Sequence, residues 1–384
     1  MEKKLVMKKI FISLLVMLLP LSALAQFSGT GFYRVQNKKT ERFLAIVDNK
    51  SQGADENSTD LGLLNTWLGF EEKVVNAPAS VCYLIAQSTS GNVTNVNITG
   101  QGLDFYRSIG TYLQMQKNAD GSYQLKGTAS GAARIIQDRI RYKTQPAKDS
   151  VQIPTTGTTN ANWNILPINE SAGHYFGIKS EIKATADNSY WSTMYASFAF
   201  KPVSANTKMY VISHIVNDFA VLREVTGTVK GNTPVLFRME SGNAADNKLS
   251  LYASGNASTG TNLLAGNYYC NDVTDATHRN VTSYDPTTMR MLGVDSEGKA
   301  AFVKSSTSYL PANKAYLKVT ATTPATLHLV TEEELTAMSI STVQADVAPQ
   351  TRGVYTLGGQ RIAETTDGLT KGIYIVNGKK TVVK

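Results

Sequence analysis

Several residue types that carry catalytic chemistry are scarce in this chain of 384 residues. There are two cysteines, Cys82 and Cys270, and four histidines, His174, His214, His278 and His328. The cysteines fall in different predicted domains, so two separate buried thiols are expected rather than a bridge. The histidines show neither an i, i+4 pair nor an HExxH run, so no helical face offers two metal ligands, and no metal or cofactor is expected. There is no GxSxG elbow and no Walker-type phosphate loop. Beyond the first 25 residues no apolar run approaches the roughly twenty needed for a membrane-spanning helix. A basic stripe is missing too: only Arg134, Arg139, Arg141, Lys143 and Lys148 cluster, with a single Tyr142 and Asp138 among them. That stretch is expected to be a solvated face or loop, and no nucleic-acid partner is expected.

What is present reads as sheet. Twenty-nine glycines, many Asn, Ser and Thr clusters, and no sustained 3.6-residue periodicity predict a mainly β protein, and the length predicts two or three domains. Residues 1–25 read as a signal peptide: lysines at 3, 4, 8 and 9 precede the apolar run Ile10 to Leu19, and Ala23 and Ala25 set up cleavage before Gln26. The whole chain has 38 basic and 30 acidic residues; without the leader's four lysines and Glu2, 34 and 29 remain, a modest net charge of +5.

The far end, 352–384, predicts short strands. Val354 to Leu357, Gln360 to Ala363 and Ile373 to Val376 alternate with glycine turns, and Asn377-Gly378 suits a type I′ hairpin to a partner strand, Lys379 to Lys384. The order V-Y-x-L-x-G, a spacer, then L-x-x-G-I-Y-I-V-N-G-K-K-x-V-V-K resembles the C-terminal sorting domain of proteins exported by the type IX secretion system. The resemblance implies a secretion-machinery partner and a secreted or outer-surface location. Residues 331–351 are polar and read as a linker with one helical turn.

Residues 26–170 open with Phe32-Tyr33-Arg34-Val35-Gln36-Asn37 and close with Asn162-Trp163-Asn164-Ile165-Leu166-Pro167-Ile168. Leu61, Leu64, Leu68 and Val75 have helical spacing and predict one amphipathic helix from Leu61 to Val75. Strands are expected at Val81 to Gln87, Thr111 to Gln116 and Ser122 to Lys126. The runs F-Y-R-V-Q-N, R-F-L-A, Y-L-Q-M and W-N-I-L-P-I resemble the ricin-type β-trefoil. Position 161 is Ala where the lectins of that family place the Gln of Gln-x-Trp, so only Trp163 matches, with Trp67 a weaker echo.

Residues 171–330 predict a β-sandwich. Tyr190 to Phe200 alternates so that Met194, Ala196, Phe198 and Phe200 share a face, and further strands are expected at Met209 to Ile215, Ala220 to Glu224, Pro234 to Met239, Lys248 to Ala253, Met289 to Val294, Ala300 to Lys304, Lys314 to Val319 and Thr326 to Val330. Gly231 to Leu236 and Leu310 to Leu317 resemble each other as a polar turn with proline leading into an apolar strand. The region is similar to the sandwich modules that precede type IX tails.

For chemistry, S-x-x-K occurs at Ser180 to Lys183 and Ser296 to Lys299, in turn or strand surroundings rather than at the start of a helix. Asp272, Asp275, Asp285 and Asp295 lie near Tyr268, Tyr269 and Tyr284, but their contexts are turn-forming. The acidic loop Asp48 to Asp60 departs from EF-hand spacing. Asp149-Ser150-Val151 is similar to the acceptor of a bacterial O-glycosylation. The expectation is a non-catalytic exported module that binds a glycan or another macromolecule, with Trp67, Trp163 and Trp191 as candidate stacking residues. A hydrolase of a surface polymer and a structural or adhesive protein are the alternatives.

Overall fold

The computed structural model describes residues 27–46, 60–67, 72–101, 103–104, 113–129, 132–139, 150–152, 160–170, 174–270, 281–338, 353–376 and 379–383. The leader with Ala23, Ala25 and Gln26, most of the linker, and Asp272, Asp275 and His278 lie outside them. The chain divides into two compact units, 1–329 and 330–384. Among the described residues no helix is long and apolar enough to cross a membrane.

The first unit opens with β1 (Gly31–Asn37), β2 (Phe43–Ile46), β3 (Asp60–Trp67), helix α1 (Glu72–Val75), β4 (Cys82–Ser90), β5 (Val93–Gly100), β6 (Leu103–Asp104), β7 (Leu113–Lys117), β8 (Tyr123–Ala129), β9 (Ala132–Ile135), β10 (Gln137–Arg139), β11 (Ser150–Gln152) and β12 (Asn162–Pro167). Six of these strands close a ring in the order β1-β12-β8-β7-β5-β4, with β4 pairing back onto β1. Every pairing in the ring is antiparallel.

Successive side chains on a strand point to opposite faces, so each ring strand sends two residues inward. These are Tyr33 and Val35, Cys82 and Leu84, Val96 and Ile98, Leu113 and Met115, Tyr123 and Leu125, and Trp163 and Ile165, all buried in one cluster. The segments between ring strands carry the outer pieces β2–β3, β6, β9 and β10–β11. Arg42, just before β2, and Asp138 of β10 join two of these pieces by a buried ion pair: Arg42 Nε donates to Asp138 Oδ2 at 3.0 Å, and Arg42 Nη2 donates to Oδ1.

Two expectations change here. Leu61 to Val75 is not one helix: β3 pairs antiparallel with β2, Leu44 opposite Thr66 and Ile46 opposite Leu64, and among the described residues of the stretch only α1 is helical. Gly62 weakens a helix, and long-range pairing with an apolar strand supplies what local spacing could not. The basic stretch from Arg134 is not wholly a solvated face either, because Ile136 and Asp138 are buried.

The rest of the unit holds β13 (Phe176–Gly177), β14 (Ile182–Lys183), β15 (Tyr190–Met194), β16 (Ala199–Pro202), β17 (Thr207–Val216), β18 (Phe219–Glu224), β19 (Val235–Met239), β20 (Lys248–Tyr252), β21 (Leu264–Asn267), β22 (Met289–Val294), β23 (Ala300–Val303), β24 (Lys314–Lys318) and β25 (Thr326–Thr331). Ten form a sheet ordered β14-β15-β19-β17-β18-β25-β23-β22-β24-β21, and β13-β20-β16 form a smaller one. The large sheet curls until β24 reaches β15, where the Ala315 amide donates to Thr193 Oγ1 at 3.2 Å.

Inside the curl lie Trp191, Ile212, Leu236, Phe302, Leu317 and Leu327. On the outer face of β15, β17 and β19, Met209, Val211, Val235 and Phe237 pack against Phe176, Phe200 and Leu249 of the small sheet. Burial on both faces explains why Met209 to Ile212 and Val235 to Phe237 are uninterrupted apolar runs. The predicted strand Tyr190 to Phe200 is two strands in different sheets, yet Met194, Ala196, Phe198 and Phe200 do share one cluster.

The second unit carries a helix at 332–338 and a sheet of β26 (Val354–Tyr355), β27 (Arg361–Ala363), β28 (Gly372–Val376) and β29 (Lys379–Val383), ordered β27-β26-β28-β29. Ile373 and Val382, opposite each other on β28 and β29, are both exposed.

Candidate binding site

Two of the three tryptophans singled out by the sequence offer no face to a ligand. Trp163 is 0 % exposed inside the barrel, its Nε1 donating to the Ile136 carbonyl at 3.1 Å. Trp191 is 5 % exposed inside the curled sheet, its Nε1 donating to Ser189 Oγ at 2.7 Å. Trp67 ends β3 opposite Phe43, and its side chain lies outside the described residues.

Asp285 and Asp295 are committed to turns. Asp285 accepts from the Thr287 amide and from Thr288 Oγ1, both at 2.8 Å, which holds its carboxyl below the usual range. Burial pushes Asp295 up, but the Lys299 and Glu297 amides and the His328 ring outweigh it and bring its pKa down. A general acid needs a shift in the other direction. Neither S-x-x-K serine opens a helix: Ser180 leads into β14 and Ser296 sits in the turn between β22 and β23. His214 meets its neighbour Ser213 and His328 meets Asp295, and among the described residues no three His, Cys, Asp or Glu side chains gather as metal donors. Cys82 is buried and unbridged, its thiol pushed up to about 12 by burial.

The alternation that sends Tyr33 and Cys82 inward sends Phe32 and Tyr83 out. Phe32 stands opposite Tyr83 where β1 closes on β4, and Tyr83 stands opposite Thr99 on β5, so Phe32, Tyr83 and Thr99 form a row across three strands. Facing this row are Ser197 and Phe198, in the corner between β15 and β16, and Tyr252 at the end of β20. Together they line an open pocket of about 110 Å³. The Phe32 and Tyr83 rings lie 4.7 Å apart at 33°, and Phe198 meets Phe32 edge-on at 6.1 Å. Tyr252, 41 % exposed, forms the rim.

Two features define what this pocket accepts. None of its lining side chains is charged. Among the described residues, the hydroxyls of Tyr83, Thr99, Ser197 and Tyr252 have no hydrogen-bond partner in the protein. A closed apolar cavity of about 150 Å³ holds one benzene ring; this pocket is smaller and open. Aromatic faces with free hydroxyls at their edges suit a ring that is apolar on one side and rich in hydroxyls around it.

Sequence reasoning missed this site because each lining residue is unremarkable in its own strand. The one local signal is an aromatic, Phe32, at an outward position of a strand whose other outward residues, Arg34 and Gln36, are polar. No family model matches this chain, and no curated protein matches it.

Proposed function

We propose that this protein is an exported, non-catalytic module that binds an uncharged glycan at the pocket between Phe32, Tyr83, Phe198 and Tyr252. The observation that carries the reading is the combination of stacked aromatic rings with four uncommitted hydroxyls and no charge. Sugar rings are bound by stacking on aromatic faces and by hydrogen bonds to their hydroxyls, and this pocket supplies both. The barrel is read as a β-trefoil: a six-stranded antiparallel ring with outer pieces inserted after β1, β5 and β8 supports that assignment. The two-layer packing of the small sheet on the large one supports a sandwich-like second domain. The leader and the tail motif support export, with residues 353–384 as the sorting signal.

A glycan array probed with the wild type and with Tyr83→Ala/Tyr252→Ala tests the binding. Retention on one or more neutral polysaccharides by the wild type, lost in the double variant, is expected. No retention on any neutral glycan, or equal retention by both proteins, contradicts the reading. For export, removal of residues 353–384 is expected to leave the protein in the periplasm, and unchanged surface display overturns that part.

A further inference from the structure

The pocket does not end in bare surface. Thr99 and Gly100 line it, and the next residue, Gln101, accepts a hydrogen bond through its carbonyl from Tyr269 Oη at 2.9 Å. Tyr269 is the first of three ring neighbours: its centroid lies 5.8 Å from Tyr268, and Tyr268 lies 4.3 Å from Tyr195 at 34°. Tyr195 is in turn two residues from Ser197, which lines the pocket from the other side. All three tyrosines are half-buried.

These rings are held in place. Gly266 has no side chain where a Cβ would stand 2.0 Å from the Tyr195 ring, so that ring lies flat against the backbone of β21. Tyr268 Oη donates to the side-chain oxygen of Asn232, an exposed residue at φ 63° that a left-handed turn fixes in place. Tyr269 also packs against the barrel core, which gives it a structural role. Tyr268 is held at its hydroxyl by Asn232 and at its ring by Tyr195, so it is a pre-organised surface.

We infer that the pocket and the Tyr269-Tyr268-Tyr195 ladder form one track, and that the natural ligand is a chain of several neutral sugar rings rather than a single one. The inference rests on the glycan reading above and extends it: the pocket seats one ring, and the ladder takes the rings that follow. Each added ring stacked on a tyrosine contributes about 1 kcal/mol, so two further contacts raise affinity well over tenfold.

Calorimetric titration with gluco-, manno- and xylo-oligosaccharides of one to six rings tests this, using the full chain. For a series that binds, the dissociation constant is expected to fall at least tenfold between one and four rings. In Tyr268→Ser the longer members are expected to lose about fivefold of that gain, the equivalent of one stacking contact, while the affinity of the single ring is unchanged. Tyr268→Phe keeps the ring and is expected to keep the length dependence, which separates stacking from a loss of fold. Binding that does not depend on length, or a Tyr268→Ser protein that retains the dependence in full, overturns the track while leaving the pocket standing. Binding of no neutral sugar of any length removes the glycan reading and the track with it.

Discussion

Gln101 and Asn313, far apart in sequence, hold each other by two reciprocal amide bonds. Gln101 Nε2 donates to Asn313 Oδ1 at 3.0 Å and Asn313 Nδ2 donates to Gln101 Oε1 at 2.9 Å, with both residues buried. Gln101 follows β5 of the barrel, and Asn313 leads into β24 of the curled sheet. Asn313 also donates to the Tyr195 carbonyl at 3.1 Å, so the pair ties the barrel to the corner that carries the tyrosine ladder. Asn232, ahead of β19, is the counterpart of Asn313 on the other side of β15: the two have φ 63° and φ 57°, the Asn232 amide donates to the Ala196 carbonyl, and the Asn313 carbonyl accepts from the Tyr195 amide.

Removing one half of this pair leaves a buried amide without its partner, at a cost of about 1–3 kcal/mol. Gln101→Leu is expected to lower stability by that amount in denaturant titration, and Asn313→Leu by more, since it also strands the Tyr195 carbonyl and places leucine at φ 57°. The double variant is expected to lose less than the sum, since it strands no Gln101 partner at all; strict additivity would show that the two amides act independently.

The Arg42–Asp138 pair sits at side-chain exposures of 2 % and 0 %, so either charge left alone has no water to turn to. Asp138→Ala is expected to destabilise the barrel by about 3–5 kcal/mol. Arg42→Met/Asp138→Leu, which removes both charges, is expected to recover most of that loss. Chemical denaturation followed by tryptophan fluorescence reads both, because Trp163 lies in the adjoining core.

A Cβ at Gly177 would stand 2.0 Å from the Ala244 carbonyl oxygen, a backbone atom that cannot swing aside. Gly177→Ala is therefore expected to cost about 1–3 kcal/mol or more. Gly121→Ala supplies a contrast: no atom lies within 4 Å of its Cβ, and only its left-handed φ of 85° opposes the substitution. Thermal denaturation of the two variants, with Gly177→Ala the less stable, checks the difference.

Burial keeps the Cys82 thiol protonated at neutral pH, since its pKa is pushed up to about 12. The thiolate is the reactive form, so Cys82 is expected to resist iodoacetamide in the native protein and to label on unfolding in denaturant. Mass spectrometry of the peptide containing Cys82 checks this, and rapid native labelling would contradict the barrel interior described for it.

Asp120, Asp187, Asp285 and Asp295 all have pKa values held below the usual range for aspartate. A carboxylate whose folded pKa is lowered stabilises the protein above its unfolded pKa, about 3.9, and that contribution is lost as pH falls through the lower folded value. Stability is therefore expected to decline on acidification below about pH 4. Replacing Asp295 by Asn is expected to flatten part of that decline, as read from denaturation midpoints taken across the acid range.

The sheet-rich middle was legible strand by strand. Val235 to Phe237 and Ala300 to Phe302 announce themselves because residues buried on both faces leave an apolar run with no interruption. The strands of the tail were legible from Gly358-Gly359 and the alternation around Tyr374. What could not be read was anything fixed by closure. Leu61 and Leu64 share helical spacing, and only their pairing with β2 makes them strand. The tryptophans drew attention as large amphipathic residues, but Trp163 fills a barrel whose interior is defined by six strands at once. The row Phe32, Tyr83 and Thr99 exists only after β4 has found β1, a register no local pattern encodes.

The measurement that bears most directly on the account is a crystal structure of the protein soaked with the tightest neutral oligosaccharide from the titration. A sugar ring is expected stacked in the pocket between Tyr83 and Tyr252, with its hydroxyls reaching Thr99 and Ser197. Sugar density elsewhere on the surface with that pocket empty would contradict it.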